Sequence, residues 1–150
     1  MSRIIADLRE LTHQIEQISE EIAKKYAIDH LAGPQGHVLV YLQKNKEREI
    51  FVKDIETQLG ISKSVASNLV KRMEKNGFIE VIPSQTDKRY KQVIMTQKGE
   101  DKLPLLQECR QDIENYFFKE ITREEFQVVR KVIDQLKQNM LDYKKGEDDA

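Results

Sequence analysis

Apolar positions recur along this chain in two rhythms. At the start, Ile4, Leu8, Leu11, Ile15, Ile18 and Ile22 step by four and three, with Arg9, Glu10, Glu16, Glu20 and Lys24 on the other faces. That spacing predicts an amphipathic helix with a narrow apolar seam, the kind used in helix–helix association. Gly33-Pro34 breaks the pattern, and Pro34 suits the first turn of a short apolar helix, GHVLVYLQKN. Val52, Ile55 and Leu59 stripe a third helix that Gly60 stops. Ser62 is an N-cap for a fourth, in which Val65, Leu69 and Met73 are expected to face inward and which Asn76-Gly77 ends.

The rhythm then changes to alternation. FIEVIP and YKQVIM read as two strands around the polar tip SQTDKR, with Pro83 closing the first. Thr96 caps a further helix whose seam uses Leu103, Leu106, Ile113 and Phe117. After Thr122 a last helix steps through Phe126, Val129, Ile133, Leu136 and Met140. The charged end, KKGEDDA, is expected to fray. The fold class is therefore mainly α with a small β-hairpin. Two short helices around a Gly-containing turn form a helix-turn-helix, and a hairpin directly after it makes a winged helix.

Net charge is only -1, so the whole chain predicts no polyanion partner, but the distribution does. Between Gly60 and Lys91 seven basic residues face three acids, a local +4 that leaves -5 for the rest. A basic centre between acidic flanks is expected of a nucleic-acid reader carried on another scaffold. On the fourth helix, Ser62, Lys63, Ser64, Ser67, Asn68, Lys71 and Arg72 occupy the surface left by the apolar stripe. The second helix of a helix-turn-helix enters the major groove. There Asn pairs with adenine and Ser with most bases, while Lys63, Lys71 and Arg72 suit phosphates. At the wing tip Lys88 and Arg89 are the DNA-facing bases, and Asp87 is placed to accept from the Arg89 guanidinium and hold it extended. Arg is favoured where the minor groove narrows.

Composition narrows the class further. At 39% hydrophobic and 34% charged the chain reads as a soluble folded domain. Cys109 is the one cysteine, which fits a reducing cytoplasm. Acids among the first apolar residues argue against a signal peptide, and no run approaches the roughly 18 apolar residues of a membrane span. Cytoplasmic location and no membrane partner are expected. No nucleophile–base pair or phosphate-cradling glycine loop appears, and three histidines are scattered over helices, so neither enzyme activity nor a cofactor is expected.

The GPQGHVLVYL start of the second helix, the block LGISKSVASNLVKRMEKNGFIE, and the D-x-R wing of Asp87 and Arg89 running into VIMTQKG resemble the MarR (multiple-antibiotic-resistance regulator) family. The resemblance covers essentially the whole chain. It implies a homodimeric, ligand-responsive repressor that reads a pseudo-palindrome in double-stranded DNA. It also implies a winged lobe over residues 34–96 and dimerisation helices over 1–30 and 97–143. One departure is Tyr90 after Arg89, where many members carry glycine and a second arginine.

Control is open at this level. Most members of the family respond to a small molecule held between dimerisation helices and winged lobe; others sense oxidants or zinc. Cys109 lacks a second cysteine as partner and is flanked by Glu108 and Asp112, which fits an inert thiol. Asp29, His30 and His37, with Glu108, Cys109 and Asp112, are the residues a zinc-responsive member would use, yet no local metal motif joins them. A winged helix that binds protein rather than DNA is the reading from another class.

Overall fold

In a computed structural model, residues 3–149 are described, leaving aside the side chains of Asp29 and Asp149. Asp29 as a metal-side acid therefore lies outside the described residues. The chain forms two compact units, Met1–Ile113 and Glu114–Ala150.

The first unit opens with α1 (Arg3–Lys25), of which only Ile22 and Ala23 are buried. A 3-10 turn, Asp29–Leu31, follows; periodicity gave no sign of it, because only Leu31, with Ile28 just ahead of the turn, is buried there rather than a stripe. α2 (Pro34–Lys44) starts on its proline, which sacrifices no helical N–H there, and buries Val38, Leu39 and Leu42. α3 (Val52–Leu59) begins with the Asp54 carboxylate accepting the Phe51 N–H at 2.9 Å. α4 (Lys63–Lys75) packs Leu69, Val70 and Met73 into the core formed with Val38, Leu39, Ile55, Phe78 and Ile79.

β1 (Ile79–Pro83) and β2 (Lys91–Met95) pair antiparallel, with Ile79 opposite Met95 and Pro83 opposite Lys91. The segment before α3 lies along the other edge of β2. There the Val93 N–H donates to the Ile50 carbonyl at 2.7 Å, and Phe51 bridges Gln92. α5 (Gln97–Phe117) is capped as expected, the Thr96 hydroxyl accepting the Gly99 N–H at 3.1 Å.

In the second unit, Phe118 meets Phe117 and Phe126 edge-on, at 4.8 and 4.9 Å between ring centres. α6 (Arg123–Asp149) opens with a reciprocal cap: the Glu125 N–H donates to the Thr122 hydroxyl and the Thr122 N–H to the Glu125 carboxylate. The expected frayed end is instead helical through Asp149. Lys144, Lys145 and Glu147 are good helix formers, so charge alone does not unwind the last turns.

Candidate nucleic-acid interface

The turn between α3 and α4 is made by Gly60, whose φ of 65° is left-handed and open to glycine without a Cβ penalty. Ser62 then caps α4, its hydroxyl oxygen accepting the Val65 N–H at 3.2 Å. That oxygen also lies 3.3 Å from the Ser64 hydroxyl, so Ser62 shapes the start of the helix as much as it faces outward.

Val65 does not face inward as its spacing predicts. Val65 is 49% exposed, and Ala66 takes its place in the core beside Leu69, Val70 and Met73. The buried stripe runs through residues 66, 69, 70 and 73, and at roughly 100° per residue Val65 falls about a quarter-turn from its centre. Opposite that stripe lie exposed Ser64, Asn68 and Lys71, with Ser67 half-buried and Lys63 and Arg72 on the flanks. Two hydroxyls, an amide and cations thus share one surface, with Val65 adding an apolar contact at its edge.

At the wing tip, Asp87 and Arg89 are joined. The Arg89 Nε lies 3.0 Å from Oδ1, its Nη2 2.7 Å from Oδ2, and its backbone N–H also donates to Oδ1 at 3.1 Å. The guanidinium beside it holds the Asp87 carboxyl below its usual range, and the carboxylate raises Arg89 in turn. Arg89 remains 81% exposed at its side chain, with its charged end 5.7 Å from the centre of the Tyr90 ring. Tyr90 itself meets Phe51 edge-on, so the residue that departs from the family pattern braces the wing. Lys88 is exposed beside them.

Sequence reasoning missed the group beneath the tip. Glu49 accepts from the Ser84 hydroxyl at 2.8 Å, the Gln85 N–H at 2.6 Å and the Thr86 hydroxyl at 2.8 Å. The hydroxyls of Thr86 and Ser84, with backbone donors, hold the Glu49 carboxyl below its ordinary range. The only signal was Glu47-Arg48-Glu49, an ordinary-looking charged loop.

Away from this surface a cavity of about 450 Å³ opens among α2, the end of α3 and α5. His37, Tyr41 and Lys44 line one wall, Leu59 and Ile61 another, with Arg110 from α5. A smaller cavity of about 140 Å³ shares His37, Val40 and Arg110 and has Cys109 in its wall. Cys109 is 5% exposed, and burial, then the Asp112 charge, pushes its thiol up. His30 stacks on Phe78 at 5.3 Å between ring centres. Among the described residues no group of three His, Cys, Asp or Glu side chains converges on a metal-sized point, and no helix is long and apolar enough to cross a membrane.

A sequence model of the MarR family matches residues 31–89, the stretch from the end of the 3-10 turn to Arg89. The heme sensor protein PefR from Streptococcus agalactiae, solved in complex with heme, is 44% identical. That match covers 93% of this chain and 95% of PefR, with a TM-score of 0.70. The HTH-type transcriptional repressor IacR of Pseudomonas putida is 27% identical over 83% of this chain and 71% of its own length. The HTH-type transcriptional regulator BilQ of Clostridioides difficile (strain CD3) is 30% identical over 59% of this chain, which spans 58% of that protein.

Proposed function

We propose that this chain, which belongs to the MarR family of transcriptional regulators, is a homodimeric repressor that reads a pseudo-palindromic operator and is released by a small molecule. The observation that carries this reading is one compact unit bearing both the polar face of α4 and an exposed tip where Asp87 orients Arg89. Ser64, Ser67 and Asn68 are assigned to base edges, with Ser62 setting the helix start. Lys63, Lys71, Arg72 and Lys88 are assigned to phosphates, and Arg89 to the minor groove. The repressor sense is supported by likeness to IacR. Homodimerisation is supported by the seams of α1 and α6, whose Leu8, Leu11, Val129 and Ile133 are exposed in the single chain.

Heme is the effector class that likeness to PefR favours. The larger cavity is chemically suited to it. Val40, Leu59 and Ile61 offer apolar walls for a flat ring, Lys44 and Arg110 offer cations for its carboxylates, and His37 offers an imidazole for iron. Its volume lies in the roughly 300–1,000 Å³ range of ligand sites.

The test is fluorescence anisotropy of the protein on its own upstream intergenic duplex and on a scrambled duplex, across a salt series, with and without heme. Preference for the native duplex by about 10³-fold, falling steeply with salt and abolished by heme, is the expected result. Failure to bind any genomic fragment at low salt would favour a winged helix that binds protein. DNA binding unmoved by heme, with no change in the heme spectrum on mixing, would remove heme alone.

A further inference from the structure

The wing tip is an excursion of seven residues between β1 and β2, and its first arm is not held by the strand ladder. The ladder ends at Pro83 and Lys91, and the Ser84 N–H adds one bond to the Tyr90 carbonyl at 2.9 Å. Beyond that point the arm is organised around two groups. The Ser84 hydroxyl, on a residue only 3% exposed, accepts the Thr86 N–H at 3.2 Å and the Asp87 N–H at 3.1 Å. The Glu49 carboxylate receives the Ser84 hydroxyl proton and two further donors, the Gln85 N–H and the Thr86 hydroxyl.

We propose that Glu49 is the positioning residue of the wing: from the segment before α3 it fixes the arm that carries Asp87, and through Asp87 the direction of Arg89. The inference rests on the DNA-binding reading of the wing.

A hydroxyl has one proton and two lone pairs. Charge favours giving that proton to the carboxylate, which leaves both lone pairs of Ser84 for the two backbone N–H groups ahead of it. Those bonds set the backbone at Asp87, and Asp87 then binds the Arg89 guanidinium and backbone N–H. Removing the carboxylate frees the Ser84 proton to seek Thr86 instead, 3.2 Å away, and leaves the Gln85 N–H to water. The arm then samples other conformations, and DNA affinity falls by the fraction of time the wing is correctly set.

Glu49 is itself anchored from behind. Arg48 donates to the Tyr41 hydroxyl at 2.7 Å and pairs with Asp54 at 3.8 Å, and the neighbouring Ile50 carbonyl accepts from Val93. The carboxylate is therefore presented from a fixed edge rather than from a loose loop.

The experiment is a double-mutant cycle on operator affinity with Glu49→Ala and Arg89→Ala, each checked for helical content and dimer mass. Glu49→Ala is expected to weaken binding about tenfold, the loss given by a wing correctly set about a tenth of the time. Its salt slope should move to that of Arg89→Ala. Because Glu49 acts through Arg89, the double variant should bind within about twofold of Arg89→Ala alone, far from additive. Thr86→Val, which deletes one hydroxyl from the exposed arm, should weaken binding by a few-fold and serves if Glu49→Ala folds poorly. Wild-type affinity in Glu49→Ala and Thr86→Val, or additive losses in the cycle, would overturn the inference while leaving the regulator reading intact. Absence of DNA binding by the wild-type protein would sink both.

Discussion

The hydroxyl of Tyr26, just after α1, donates to the carboxylate of Asp112 on α5, joining residues that are 86 positions apart. Asp112, with Glu108 and Cys109 nearby, favours the protonated phenol, and the Tyr26 pKa is pushed up from 10.0 to about 12. The folded state therefore keeps a proton that the unfolded chain loses first. Stability from this pair is full below about pH 10 and is lost as pH rises from 10 to 12. Urea unfolding of wild type and Tyr26→Phe should show a gap that is constant at neutral pH and narrows across that window. A gap independent of pH up to 12 would remove the ionic character of the bond.

On the proposed reading, the polar face of α4 divides positioning from base reading. Asn68 lies near the middle of the outer face of α4, whereas Lys71 carries only charge and reach. Asn68→Ala should cost about 1–3 kcal/mol on the operator and relax preference at one base pair. Lys71→Ala should weaken native and scrambled duplexes alike and reduce the salt slope by about 0.9. Equal losses on both duplexes for Asn68→Ala would take that residue out of base reading.

Two glycines are needed for different reasons, and their alanine variants should show it. A Cβ at Gly60 would meet nothing within 4 Å, but its φ of 65° is left-handed. Gly60→Ala should therefore cost about 1 kcal/mol, and Gly60→Asn less, since Asn tolerates that region. A Cβ at Gly99 would lie 2.4 Å from the Phe78 carbonyl oxygen and 2.8 Å from the Met95 side chain. Backbone cannot yield there as a side-chain tip could, so Gly99→Ala should cost about 1–3 kcal/mol by overpacking. Denaturant midpoints of the three variants decide the order.

These contrasts show what the sequence could and could not carry. Gly60, Ser62 and Thr96 were legible because a turn or a cap is decided by residues within three or four positions. The hairpin was legible because alternation brackets a polar tip. Pairing of Asp87 with Arg89 was legible for the same local reason. Glu49 was not, since its partners begin 35 residues later and nothing in ERE distinguishes a clasp from a solvated loop. Val65 was misplaced because a three-four spacing fits two neighbouring stripes, and only packing against α3 and β1 selects the one through Ala66.

The apolar seam of α6 carries the last consequence. Val129, Ile133 and Leu136 are each 43% exposed, one face of a helix whose described residues are all exposed. Leaving such a row in water is unfavourable by about 25 cal/mol for each Å² that a partner would cover. A second copy of the chain would cover it, and a two-fold operator would then be gripped at both half-sites. Ile133→Glu or Leu136→Glu would place a charge in that interface, where burial without a partner is costly. Sedimentation should show the mass halved while the first unit keeps its helical signal. Operator affinity should fall by about 10²–10⁴-fold, because a monomer loses the effective concentration that tethering gives the second half-site. A variant that sediments as wild type would place the dimer interface elsewhere. One that sediments as a monomer yet binds the operator undiminished would show that a single half-site suffices.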